Sequence, residues 1–178
     1  MERSSFTPAV RFVLDEEIVD PKECYGGIQI EIDGNRLNKT VNEENEEWLN
    51  WGPEYDGQYL YTDMWNLIST TISVLQERST YEEYSVSFLE NSSRIIVEPL
   101  GESIIRIAYR TGYHECGGRK TVQAVPVSAC GFPVDLYEWG EAVYDAGSRL
   151  RDNLVDLERE QLGMSLDPVL NDLRQELD

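Results

Sequence analysis

Four residues could supply soft ligands or an imidazole base: Cys24, Cys116, Cys130 and the single histidine, His114. Each has small or turn-forming neighbours, in the strings Cys24-Tyr-Gly-Gly, His114-Glu-Cys116-Gly-Gly and Cys130-Gly-Phe-Pro. Three thiolates and an imidazole would close a tetrahedral structural zinc site, with the glycines letting backbone amides approach the sulfurs. The spacing argues against zinc, because no closely spaced cysteine pair is present and His-x-Cys is an uncommon chelate. A cysteine hydrolase is the enzymatic reading of the same residues. It would make His114 the base, two residues from Cys116 and away from any strand-to-helix turn that would activate the thiol. No nucleophile elbow, phosphate loop, dinucleotide fingerprint or zincin string occurs. With 34 acidic residues, chance carboxylate pairs say nothing about glycosidase or magnesium chemistry. The expectation is a non-enzymatic protein without a cofactor, its histidine in a loop and its cysteines small, partly buried thiols.

A second set of residues suits recognition. From Asn42 to Thr62 periodicity disappears and the chain reads NEENEEWLNWGPEYDGQYLYT, interleaving acids with Trp48, Trp51, Tyr55, Tyr59 and Tyr61. A connection of about 20 residues exceeds the usual length and is typically functional or disordered. So many aromatics favour order. Trp and Tyr offer contact area at low entropic cost, and flanking carboxylates select a basic partner. Trp48, Trp51, Tyr55, Tyr59, Glu46 and Glu47 are therefore the candidate partner-binding residues. The structural alternative is that these aromatics plug the open end of a sheet while the acids stay solvated.

The charge balance limits the partner. With 34 acidic residues against 15 basic ones, the net charge is −19, and the field repels nucleic acid and anionic membrane. No apolar run approaches the roughly 20 residues of a membrane span, and the start, MERSSFTPAV, lacks a basic stretch followed by an apolar one. A soluble, cytoplasmic protein is expected. Only Lys22, Lys39 and Lys120 are lysines. Few lysines and a carboxylate-rich surface resemble, in composition alone, the proteins of salt-in haloarchaea, whose cations screen such repulsion.

The elements that must position these residues follow from periodicity. Val10, Phe12 and Leu14 alternate with Arg11 and Val13, and Ile28, Ile30 and Ile32 alternate with Gln29, Glu31 and Asp33. Asp33-Gly34-Asn35 is a hairpin signal leading into a short strand near 36–41. These make a β meander over 1–41. After the acidic aromatic loop, 42–62, a helix is expected over 63–78, capped by Thr62 or Asp63, with Trp65, Ile68, Ile72 and Leu75 on its buried face. A second meander spans 84–127 as Ser85–Leu89, Arg94–Glu98, Ser103–Arg110 and Thr121–Val127, with Pro126 marking an edge or an end.

Cys130-Gly131-Phe132-Pro133 breaks the pattern, and helices fill 134–178. A stripe from Leu136 through Trp139, Val143, Leu150, Leu154 and Leu157 predicts one long helix to about Gln161, stopped by Gly163. A short helix capped by Asp167 follows. Glu138, Glu141, Asp145, Asp152 and Asp156 form an acidic stripe, read as a solvated face, with Asp145 and Arg149 as an ion pair. Gly140 and Gly147, two turns apart, imply a close approach within the chain or to a second copy.

The predicted fold is α+β: a single domain with one antiparallel sheet of about six or seven strands. One mid-chain helix, a long C-terminal helix and a short terminal helix pack on one face. Its layout resembles toxin-immunity and other inhibitor proteins in architecture alone, with no shared motif. The expected function is a non-enzymatic acidic binding or regulatory protein with a protein partner, basic in character, in a high-salt cytoplasm. Two alternatives stand beside it. One is a structural subunit of a larger assembly such as a virion or a surface or secretion complex, with homo-oligomerisation open. The other is a zinc-stabilised module or cryptic enzyme.

Overall fold

The computed structural model describes residues 5–16, 24–37, 55, 59–87, 94–114, 121–126 and 131–178. Strand β1 (Pro8–Leu14) pairs antiparallel with β2 (Gly26–Ile32), placing Phe12 opposite Ile28 and Val10 opposite Ile30. Alternation therefore sends Val10, Ile28, Ile30 and Ile32 into the core. Asp33 and Gly34 both have positive φ, the geometry of a tight hairpin turn, and lead into the two-residue strand β3 (Asn35–Arg36). Gln29 on the opposite face is also buried.

Helix α1 (Leu60–Glu77) starts three residues before the predicted position, with Tyr59 as its N-cap and no side-chain cap bond. The extension is driven by burial, because Leu60 and Met64, one turn apart, are both fully enclosed. Gly26 makes room for it: a Cβ there would run into the Val13 carbonyl and come within 2.9 Å of Leu60 Cδ2. A 3₁₀ turn (Arg78–Thr80) ends the helix.

The second meander is β4 (Tyr84–Ser87), β5 (Arg94–Pro99), β6 (Ile104–His114) and β7 (Thr121–Pro126), all antiparallel. Pro126 does end an edge strand. An unpredicted strand, β8 (Phe132–Asp135), pairs with the first part of β6 along the same edge that β7 takes further on. The Phe-Pro break in the sequence is thus a short edge strand, where a proline is tolerated.

The single sheet predicted from the sequence is two sheets: three strands in the order β1-β2-β3, and five in the order β4-β5-β6-β7 with β8 also on β6. One isolated parallel bridge, Phe6 to Val134, with Phe6 N–H donating to the Pro133 carbonyl at 3.0 Å, links the two. Sequence spacing cannot reveal such a split, because α1 separates the meanders and only edge pairing decides whether they fuse. One continuous cluster of buried side chains nevertheless joins Ile28 and Ile30 to Ile95, Val97, Ile105 and Ile107 through the helices.

Helix α2 (Leu136–Asp156) is capped by Asp135, whose carboxylate accepts from the Tyr137 and Glu138 amides. It buries Trp139, Val143, Leu150 and Leu154. The predicted run to Gln161 is broken early. Arg159 N–H donates to the Leu154 carbonyl at 2.8 Å and Glu158 N–H to the Val155 carbonyl at 3.0 Å, with Glu158 at φ 60°. This is a Schellman ending with glutamate in the left-handed position that usually signals itself by glycine. Gly163 does not stop a helix. It lies within α3 (Glu160–Met164), where a Cβ would come 2.9 Å from the Arg151 carbonyl.

Helix α4 (Asp167–Leu177) has Leu166 as its N-cap, and Pro168 sits in its first turn. It packs on α1 and α2 through Val169, Leu170 and Leu173. Gly140 and Gly147 of α2 face this helix: an added Cβ would come 2.5 Å from Leu177 Cδ2 at the first, and 2.8 Å from Leu170 Cδ2 and 2.9 Å from Ile68 Cδ1 at the second. The close approach is intramolecular. Arg149, expected beside Asp145, gives its Nη2 to the Val10 carbonyl at 2.9 Å, pinning α2 to the edge of β1. The acidic stripe is exposed at Glu138, Asp145, Asp152 and Asp156, while Glu141 bonds Arg174 of α4 at 2.8 Å.

Candidate functional site

The first turn of α1 gathers the aromatic residues that lead out of the acidic segment. Tyr59, 38% exposed, tilts against Tyr25 with ring centroids 5.6 Å apart. Tyr61, two residues on, lies on Trp65, with centroids 6.1 Å apart. Its hydroxyl reaches Ser165 Oγ at 2.7 Å, and Ser165 Oγ donates to the Leu162 carbonyl at 2.6 Å. Because a serine has one proton, Tyr61 is the donor in that pair. The chain of bonds fixes α1 to the α3–α4 corner. Met164, beside Ser165, is 51% exposed.

Trp65 continues this aromatic strip into a groove between α1 and α4. The groove has a volume of about 310 Å³ and is lined by Trp65, Ser69, Ile72, Pro168, Val169 and Asp172. Trp65 and Ile72 are only partly buried, whereas Ile68 and Leu75, predicted to share their face, are fully in the core. A helix rotates by about 100° per residue, so one broad apolar arc serves both the core and the flank toward α4. Among the described residues no ion pair reaches the Asp172 carboxylate. The walls are apolar with one acid at the rim, and the space fits one large side chain, at the lower end of the range for small-molecule pockets.

Beneath the strip lies a buried polar layer. Cys24 is 5% exposed, and burial pushes its thiol up to about 11, against the opposing pull of the nearby Arg159 guanidinium and a hydrogen bond from the Tyr61 amide. The sulfur thus takes one of the amides that the first turn of α1 leaves without an intrahelical acceptor. At neutral pH this residue is a protonated thiol, the opposite of an activated nucleophile. Arg159 is 4% exposed. It is held inside by the left-handed turn at Glu158 that ends α2. Its Nε and Nη1 find no acceptor among the described residues. Asp63, in the first turn of α1, is fully buried.

Of the residues singled out by sequence, Tyr59 and Tyr55 are described, with Tyr55 partly buried. Trp48, Trp51, Glu46 and Glu47 lie outside the described residues, as do Cys116 and Cys130. His114 is the last residue of β6, while Cys24 belongs to the layer beneath α1. Among the described residues no group of three or more histidine, cysteine or carboxylate side chains is arranged to hold a metal ion. Nor is any described helix long and apolar enough to cross a membrane.

Sequence reasoning missed the second wall of the groove. Trp65 and Ile72 were readable as a helical stripe, but nothing in the local pattern says that Pro168, Val169 and Asp172, about a hundred residues later, stand opposite them. No family model, curated protein or solved structure matches this chain.

Proposed function

We propose that the protein is a non-enzymatic binding or regulatory protein that holds a basic protein partner against the first half of α1. The observation that carries this reading is the strip Tyr25, Tyr59, Tyr61 and Trp65, running into an apolar groove whose rim carries the Asp172 carboxylate. Aromatic side chains held by hydrogen bonds and packing bind with little loss of freedom. The groove takes one apolar anchor of the partner. Asp172 favours lysine or arginine beside that anchor, and the acid excess of the chain speeds the encounter. The wider acid excess, −19 over the chain with three lysines, suits a salt-rich interior in which only short-range pairing survives screening.

The test is to replace Trp65 with a photo-crosslinking amino acid, irradiate cells that express the protein, and identify the adduct by mass spectrometry. A single basic protein that is absent when the same group stands at Asp152, on the solvated face of α2, supports the reading. A set of adducts identical at both positions refutes it.

A further inference from the structure

The five large hydrophobic side chains that stand exposed among the described residues fall at the two ends of α1. Tyr59 and Met164 flank the strip already described; Tyr81, Leu100 and Tyr137 are 59%, 52% and 38% exposed and belong to the far end. Three connections bring them together. The register Tyr84 to Val97 carries Tyr81 and Leu100 to the same end of the sheet. Leu100 N–H donates to the Ile104 carbonyl and Leu136 N–H to the Ser103 carbonyl, which sets the start of α2 beside the β5–β6 turn. Arg78, just past α1, donates to Tyr137 Oη at 3.3 Å.

Tyr81 is held out by its backbone. Its φ is 56°, a left-handed conformation uncommon for an aromatic residue. Thr80 Oγ1 fixes that turn by donating to the Glu77 carbonyl at 2.9 Å and accepting from the Glu82 amide at 3.4 Å. A large ring fixed into solvent in a disfavoured conformation marks an exposed apolar patch of the kind that binds another molecule. Glu77, Glu82, Glu102 and Glu138, all exposed, lie within four residues of Tyr81, Leu100 or Tyr137 along the chain, as does Arg78.

We infer that this end of the protein is a second docking surface, for a protein segment that carries arginine or lysine beside an aliphatic side chain. The aliphatic group covers Leu100, the cation stacks on the faces of Tyr81 and Tyr137, and the glutamates pair with neighbouring basic residues. A second copy of this chain is the wrong occupant, since it would set the same four carboxylates against one another. The groove lining runs from Trp65 to Ile72 along α1, so Arg78 lies about 9–20 Å further along the helix axis. The second surface is independent of the function proposed for that groove.

The probe is a synthetic peptide alternating leucine and arginine, compared with one alternating serine and arginine, titrated into isotope-labelled protein and followed by amide chemical shifts. The leucine peptide is expected to shift residues 78–83, 100–103 and 137–138. The double variant Y81G/L100S, which leaves the charge unchanged and relaxes the Tyr81 backbone, weakens it at least tenfold, whereas W65A leaves those shifts in place. Three results would overturn the inference: equal binding of both peptides, shifts that survive in Y81G/L100S, or sedimentation showing self-association that the double variant abolishes.

Discussion

One wall of the groove depends on α4 being seated against α2, and Gly140 and Gly147 report on that seat with opposite signs. In a helix interior, glycine to alanine gains about 1 kcal/mol. At Gly140 the only atom in the way is Leu177 Cδ2 at 2.5 Å, the rest of that side chain standing at 3.5 Å or more. Leu177 is only partly buried, so it can swing aside for roughly 0.5 kcal/mol, about half a buried methylene. G140A should therefore stabilise by roughly 0.5 kcal/mol. At Gly147 the methyl would meet Leu170 at 2.8 Å and Ile68 at 2.9 Å, both buried and wedged between helices. Overpacking of that kind costs about 1–3 kcal/mol, so after the helix gain G147A destabilises by roughly 0–2 kcal/mol. Urea unfolding with unchanged m-values measures both. L170A is the control: it removes one of the two close contacts and leaves Ile68 space to shift, so the effect of G147A should move toward stabilisation by about 1 kcal/mol. G147A proving as stable as G140A, or no coupling to Leu170, would refute the packing of α4 described here.

Two further perturbations probe the core and the layer beneath the aromatic strip. Thr71 Oγ1 accepts from the Trp139 indole at 3.1 Å and donates to the Leu67 carbonyl at 2.9 Å, with Thr71 and Trp139 both fully enclosed. Thr71→Val keeps the shape but orphans the indole N–H, so the urea midpoint should fall by the equivalent of about 1–3 kcal/mol; Thr71→Ser keeps the bond and loses only a methyl, about 0.8 kcal/mol. Cys24 governs alkaline stability. Its thiol is raised from 9.0 to about 11, so the folded state keeps a proton that the unfolded state releases. Its contribution is complete below pH 9 and is lost as pH rises to 11, by about 2–3 kcal/mol. Unfolding measured across that window should show a shallower decline in Cys24→Ala than in the parent, and identical slopes would contradict the burial of the thiol.

Alternation made the strands β1 and β2 and their inward faces legible, and Asp33-Gly34 marked the β2–β3 turn, whereas the β1–β2 register is set by pairing that no local pattern carries. The stripe of α2 was equally legible from Leu136 to Leu154. Its ending was not, since Glu158 occupies a position where glycine would have been the signal, and Gly163 drew attention to the wrong place. The start of α1 was hidden because Leu60 begins the helix by packing into the core, without a side-chain cap to mark it. β8 was missed because four residues containing a proline give no alternation. The division into two sheets is decided by edges, which carry no local pattern.

At the candidate site the aromatic composition drew attention to the approach to α1, where Tyr59 and Tyr61 lie. What composition could not supply is the pairing of Trp65 and Ile72 with Pro168, Val169 and Asp172. That pairing is a long-range contact set by the glycine-lined seat of α4. Similarly, Cys24 appeared as one of four possible ligands, and its role at the first turn of α1 becomes visible only when β2 and the helix are brought together.

The central claim is that the Trp65 groove anchors a basic protein, and the affinity of the purified cross-linked partner measures it most directly. Titration calorimetry with the parent and with Trp65→Ala should give a loss of at least about 2 kcal/mol, roughly thirtyfold, for the variant, as expected of a buried aromatic anchor. Equal affinity for the two proteins, with Trp65→Ala still folded, would contradict it.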